Sequence, residues 1–284
     1  MEQKKNGTIF VLLAAILFSI GGLCIKIVPW NAMAINGTRN LISVILIGIY
    51  LRMTHHRLVV NPAVIFGAVC LTATTTLYTL ANKMTTAANT IVLQFSAPAF
   101  VILLTWLLLR KRPDRRDLAA CVVVFGGILI FFLDGMSTGN LAGDALALLS
   151  GVSYAGVFMM NSFENSDSLS SIFIGQGLSA LIGIWFLFGE TDFGPAAIGG
   201  IAALGVLQLA LAYIFMAKGL DSTPAVTASL TAAIEPILNP IWVAIFWGET
   251  VSGLALVGAV IVIGAVVVYN VSKAKHAAEA PEDI

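Results

Sequence analysis

Apolar residues in this chain come in long unbroken runs, separated by short stretches of charge, Pro, Gly and Asn. Ten such runs can be read, at roughly 8–27, 33–51, 62–82, 87–109, 117–134, 143–162, 169–189, 195–217, 225–247 and 252–271. Each is close to the ~20 residues that a helix needs to cross about 30 Å of hydrocarbon. The runs lack period-2 alternation and their connections are short, which excludes an outer-membrane barrel. The pattern predicts an all-α integral membrane protein with ten transmembrane helices, hereafter spans 1 to 10. Neighbouring spans are antiparallel, and the polar segment from Lys273 to Ile284 reads as a disordered cytoplasmic tail.

Composition agrees with this class. Of 284 residues, 58% are hydrophobic and 11% charged, with 15 basic and 15 acidic side chains. That is too little charge to cover the surface of a soluble domain of this length. Its distribution sets an orientation. If ten spans are counted, Lys4, Lys5, Arg52, Arg57, Lys273, Lys275 and the cluster "RKRPDRR" at 110–116 fall on one side. The other side holds Lys26, Lys83, Asp134, Glu190, Asp192 and Glu249. By the positive-inside rule both termini are cytoplasmic, which places the chain in the cytoplasmic membrane. The basic cluster holds this topology and touches anionic membrane lipid.

The two halves echo one another. "LYTLANKMTTAANTIVLQFSAPAFVILLTWLLLRKR" (77–112) resembles "AYIFMAKGLDSTPAVTASLTAAIEPILNPIWVAIFWGE" (212–249). Tyr78 and Tyr213 each precede a lysine by five residues, and Pro98 and Pro236 lie mid-way along the fourth span of their half. Five spans per half is odd, so the second copy is inverted in the membrane. The expected units are a first repeat over 1–136, an inverted second repeat over 137–272, and the tail over 273–284. Inverted repeats place a carrier's site near the midplane, between the halves.

The stretch "TAAIEPILNPIW" (231–242) sets a carboxylate and two prolines inside an apolar span. Glu235 lies near the middle of span 9, where an ionised carboxylate facing lipid costs several kcal/mol, so it is expected to face the bundle interior or a wet cavity. Pro236 and Pro240 deprive the carbonyls of Ala232 and Pro236 of helical donors. This is the composition of a broken helix lining a polar cavity. Thr231, Glu235 and Asn239 fall at four-residue steps, and Trp242 continues at three. Glu235 would exchange a proton as the coupling ion, bind a cationic group of a small-molecule solute, or alternate between the two. The blander reading is a protonated acid bonded to a neighbouring helix, with the prolines serving as a kink.

Other spans offer lining. In span 4, Thr90, Gln94 and Pro98 are spaced by four, and Pro98 frees the carbonyl of Gln94. Gln208 in span 8 and Gln176 in span 7 are buried carboxamides that need several partners. Tyr78, Tyr154, Tyr213 and Trp242 can present aromatic faces. The threonines of span 3, among them Thr72, Thr75, Thr76 and Thr79, read as interhelical glue. Arg39, flanked by Asn36 and Asn40, is expected near the outer surface in a structural ion pair or gate with Asp144. The row Gly175, Ser179, Gly183 permits close helix contact, within the bundle or with a second copy in a homodimer. Cys24, Cys70 and Cys121 have no metal-site or disulfide spacing and read as small buried hydrophobes.

Taken with its motifs, the chain resembles the drug/metabolite transporter superfamily, in its ten-helix EamA-type branch. The resemblance rests on "NGTRN" (36–40), "GDALALLSGVSYA" (143–155) and above all "IEPILNPIWVAIFWGE" (234–249). At the end of span 4, where relatives often carry an acid, this chain has Arg110-Lys111-Arg112. The resemblance implies a secondary transporter of small organic solutes working by alternating access, often an exporter, with no cofactor. A proton-coupled exporter is the leading expectation. An uptake carrier for a metabolite or organic cation and a non-transporting structural membrane protein are the alternatives. A channel would need a continuous polar path or ring of charges. An intramembrane enzyme would need a metal set, a Ser/His pair or paired acids, and none of these patterns is present.

Overall fold

The computed structural model describes residues 2–110, 112–138, 140–159, 163–220, 232 and 234–279. These residues form an all-helical bundle of ten crossings, arranged as two inverted five-helix repeats. Among the described residues, six of the crossings are long and apolar enough to span a membrane by themselves. The element bounds of spans 2 to 8 follow the hydropathy runs within a few residues. Span 2 is Ala32–Met53, span 3 Pro62–Met84, span 5 Arg115–Thr138 and span 6 Leu141–Met159. The polar caps explain the ends: Asn31, Asn61 and Asp167 each accept a backbone N–H at a helix start.

Five crossings are interrupted. Span 1 turns at Ile20 between Glu2–Ser19 and Gly21–Ile27. Span 4 divides into Ala87–Gln94 and Ala97–Leu109, with Pro98 opening the second piece. Span 7 runs from Ser168–Gly183 into a 3-10 segment at Ile184–Gly189. Span 8 passes through a π-helical stretch, Ala203–Leu211, between Pro195–Ala202 and Ala212–Leu220. In span 9 Ile234 lies in a turn and the helix begins at Glu235, running to Trp247. The last helix, Gly253–Glu279, continues through seven residues of the segment expected to be a disordered tail. Those residues, Lys-Ala-Lys-His-Ala-Ala-Glu, are mostly good helix formers, so the helix propagates past the apolar part.

Packing obeys the repeat. Span 3 packs on span 6 and its counterpart span 8 on span 1; span 4 packs on span 6 and span 9 on span 1; span 3 packs on span 7 and span 8 on span 2. Spans 2 and 7, 4 and 9, and 5 and 10 pair with their own counterparts. The row Gly175, Ser179, Gly183 is used within the bundle. Gly175 lies against Ala68 and Leu71 of span 3, Ser179 Oγ meets Thr75 Oγ1 at 3.0 Å, and Gly183 crosses Gly37 with the two backbones in contact. A side chain at Gly37 would lie 2.2 Å from the carbonyl carbon of Gly183, so only glycine fits. Spans 5 and 10, at the periphery, expose large apolar side chains such as Val122 and Val260, as a lipid-facing pair must.

Loops tie the halves at both ends of the bundle. At one end Asn31 N–H donates to Glu190 Oε1 at 2.7 Å and Trp30 Nε1 donates to the carbonyl of Asp192, joining loop 1–2 to loop 7–8. At the other, His56 Nε2 meets Asp167 Oδ2 at 2.9 Å and Asn61 Nδ2 donates to the Asn165 carbonyl at 2.7 Å, joining loop 2–3 to loop 6–7. These are equivalent contacts on opposite sides. A further tie at the first end is the ion pair Lys26–Glu249 at 3.1 Å. Lys26 also donates to the carbonyl of Thr85 at 2.7 Å, and Glu249 accepts from the Ala87 N–H at 2.9 Å.

Candidate functional site

A small cavity of about 40 Å3 lies among the interrupted spans. Its polar lining comes from both halves: Arg39 of span 2, Thr74, Thr75 and Tyr78 of span 3, Gln94 of span 4, Tyr154 of span 6, Gln208 and Tyr213 of span 8, and Glu235 of span 9. Phe18 and Leu209 complete it. Apart from Tyr154, every one of these residues is buried. Phe18 stacks edge-on against Tyr213, ring centroids 5.0 Å apart, which holds that tyrosine in place.

The helix interruptions bring these groups together. Gln94 is the last residue before the break in span 4, and Glu235 the first residue of the helix in span 9. Gln208 sits within the π-helical stretch, whose wider turn is a common feature of functional sites. Close packing at two glycines brings the spans near. A side chain at Gly205 would lie 2.6 Å from Ile42 Cβ, so spans 8 and 2 touch near Arg39. One at Gly22 would lie 2.5 Å from Asn239 Oδ1, so span 9 seats its carboxamide directly on span 1.

Arg39 is the group whose place differs most from the expectation. It lines the cavity and does not pair with Asp144. Its Nη2 donates to Thr79 Oγ1 at 2.7 Å, to the Thr75 carbonyl at 3.0 Å and to Asn36 Oδ1 at 3.3 Å, and Nη1 reaches Gln208 Oε1 at 3.4 Å. Asn40 in turn donates to Asn36 at 2.7 and 3.0 Å, which orients the Asn36 oxygen. Asp144 is instead buried at the start of span 6, accepting from Thr85 Oγ1 at 2.7 Å and Asn89 Nδ2 at 3.2 Å. The long arginine stem carries the guanidinium inward, and neutral oxygens of spans 2, 3 and 8 meet it there.

Of the other expected residues, Tyr78, Tyr154, Tyr213, Gln94, Gln208 and Glu235 share the cavity. Asn239 and Trp242 do not line it. They lie on the span 1 side of the same helix, about 6 and 10 Å along from Glu235 at 1.5 Å per residue. Asn239 Nδ2 donates to Tyr78 Oη at 3.5 Å and Trp242 Nε1 to Ser19 Oγ at 3.0 Å. Gln176 is fully buried away from the cavity. Thr231 lies outside the described residues. Phe18, Thr74 and Leu209 join the lining without having stood out in the sequence, since nothing in an apolar or threonine-rich span marks one position as facing a cavity. Thr75, expected as glue, does both, bonding Ser179 and bordering the cavity.

The cavity holds a basic and an acidic group that form no ion pair with each other. Glu235 has no hydrogen-bond or ion-pair partner among the described residues, and Arg39 is bonded to neutral acceptors alone. Tyr78 and Tyr213 lie within electrostatic reach of both.

The model of the EamA-like transporter family matches this chain twice, over residues 5–133 and 141–271. A transporter of Bacillus subtilis, YwfM, is 28% identical over 286 residues, covering 96% of this chain and 97% of that protein. The pseudopaline exporter CntI of Pseudomonas aeruginosa is 24% identical over 282 residues, covering 96% and 99%. A solved crystal structure with 16% sequence identity superposes with a TM-score of 0.66, covering 95% of this chain and 98% of that one, which shows the shared fold. The two matches cover all ten spans between them, one for each half, and the chain belongs to the EamA-like transporter family.

Proposed function

We propose that this protein is a proton-coupled secondary carrier that exports a small organic solute across the cytoplasmic membrane, with both termini on the cytoplasmic side. The two repeats, 1–136 and 137–272, rock about the cavity and expose it to each side in turn. The loop ties at the two ends of the bundle are the contacts that such rocking must break alternately. The observation that carries this reading is the Glu235 carboxylate, without a partner among the described residues, in a buried cavity at the start of a helix and lined by spans of both halves. An intramembrane acid so placed is stable when protonated or when paired with a cationic solute group, and alternation between the two states couples proton entry to solute exit. The relative CntI, named as an exporter, supports the direction.

The test uses full-length protein in liposomes with a pH-sensitive dye inside. Vesicles loaded with a panel of amino acids, organic cations and nucleosides are diluted into solute-free buffer. Efflux of the right solute is expected to acidify the lumen, and Glu235→Gln to abolish that acidification while preserving the folded protein. Undiminished acidification in the variant overturns the coupling role.

A further inference from the structure

The two ends of the bundle are tied unequally. Loop-to-loop contacts occur at both, but the ion pair between the tip of span 1 and the end of span 9 belongs to one end. There the short turn between spans 3 and 4 is gripped from both halves. Lys26 donates to the Thr85 carbonyl at 2.7 Å, Glu249 accepts the Ala87 N–H at 2.9 Å, and the two side chains meet at 3.1 Å. Asp144 accepts from Thr85 Oγ1 at 2.7 Å, and Lys83 donates to the Val28 carbonyl at 2.6 Å. Lys26, Lys83 and the turn belong to the first half, Glu249 and Asp144 to the second, so the halves cannot separate here without parting the pair. The Lys26 and Glu249 side chains are 14% and 17% exposed, so removing one leaves the other charge poorly solvated.

The repeat fixes where an equivalent latch falls at the other end. Phe18 and Tyr154 both line the cavity, and Asn31 and Asp167 both accept a backbone N–H at a helix start, with one common spacing. In that register Glu164 stands opposite Val28, close to the place of Lys26. Arg110 and Gly248 are matching left-handed caps, so the basic run around Arg110 and Arg112 stands where the second half has Glu249. The charges are exchanged: a base on span 1 with an acid after span 9, an acid after span 6 with bases after span 4. Glu164, Arg110 and Arg112 are exposed, and Glu164 pairs with neither arginine in this state.

We propose that Lys26 and Glu249 are the latch that holds the outer end shut, and that Glu164 with Arg110 and Arg112 is its charge-exchanged counterpart, closing the inner end when the outer opens. Breaking one latch and making the other exchanges like for like, which keeps the two states close in energy. This deepens the carrier reading and rests on it for the second state and for which end faces outward.

The experiment is labelling of one cysteine in the cavity. Full-length protein with Cys24, Cys70 and Cys121 replaced by alanine and with Thr74→Cys is placed in right-side-out membrane vesicles. A membrane-impermeant maleimide is added outside. Labelling is expected to be slow, and Lys26→Met and Glu249→Gln should each speed it by roughly tenfold or more. The double variant should add nothing further, because either change breaks the same pair. Lys26→Arg, which keeps charge and donors, should stay slow. No acceleration, or additive acceleration, overturns the outer latch. For the inner latch, Glu164→Cys and Arg112→Cys replace the cavity reporter and a short bifunctional maleimide bridges them. Bridging should be severalfold faster with Glu249→Gln than with the outer latch intact; equal or slower bridging overturns the inner latch. Neither readout needs solute or protons. The expected pattern without acidification in liposomes would sink the proton coupling and leave the latches standing, and coupled transport without the pattern would do the opposite.

Discussion

In span 4 the helix Ala97–Leu109 follows a break at Phe95–Ser96, and in span 9 the helix Glu235–Trp247 follows a turn at Ile234. Both helices have 13 residues, both have proline in second place, and both end on a left-handed cap, Arg110 at φ 55° and Gly248 at φ 74°. The backbone device is therefore present in both halves. The chemistry is not. Ala97, at the position of Glu235, is 1% exposed and closely packed. Span 4 instead contributes Gln94, on the other side of its break. After the caps come Lys111 in one half and, in the other, Glu249, which holds Lys26. The break geometry occurs twice, and the acid once.

The largest expected effect comes from forcing the halves to match. Ala97→Glu buries a second carboxylate without a partner, and should destabilise the protein by several kcal/mol or abolish its folding, read as loss of monodisperse protein in detergent. Combined with Glu235→Gln it should not restore proton movement. Restoration would mean that the two breaks face the cavity equivalently.

The caps give a smaller effect of opposite sign. Gly248→Ala puts a side chain at φ 74° and should cost about 1 kcal/mol. Arg110→Gly relieves the corresponding strain and should raise the melting temperature slightly, the gain reduced by the entropy of glycine in the unfolded chain. If both substitutions shift the melting temperature the same way, the caps are not equivalent.

The smallest effect compares the ties at the two ends. Burial pushes the Asp167 carboxyl up, but hydrogen bonds from Ser170 and His56, with the His56 charge, outweigh it and hold the group below its ordinary value of 3.8. A carboxyl so depressed adds stability above the ordinary carboxylate range and loses it as pH falls through its folded value. Wild type should therefore exceed Asp167→Asn in melting temperature at neutral pH, by well under 1 kcal/mol after solvent screening, and the gap should close on acidification below 3.8. A gap that widens on acidification would mean that the tie has the opposite sign.

Much of this architecture was legible along the chain because lipid imposes a simple rule. Every crossing must be apolar and must satisfy its own backbone, so span number, length and the proline interruptions can be read from hydropathy and residue type. Repetition carried further information: the two tyrosines that echo each other, Tyr78 and Tyr213, both reach the cavity. Glu235 stood out because an acid in an apolar run demands a reason. The four-residue stripe along span 9 joins residues that the structure puts in different surroundings. Glu235 meets the cavity, whereas Asn239 is pressed onto Gly22 and Trp242 onto Ser19.

By itself, then, the sequence determined a ten-span inverted repeat with helix interruptions and an acid in need of a polar neighbourhood. These depend on local hydropathy and backbone chemistry. Only the tertiary structure decided what surrounds that acid. Arg39 is drawn inward by oxygens from two spans distant in sequence, 3 and 8, and Gln176 is buried elsewhere despite the same chemical signal. Which polar groups converge depends on how helices cross, at contacts such as Gly37 on Gly183 and Gly205 on Ile42; a row of small residues marks a close contact but not the helix that it meets.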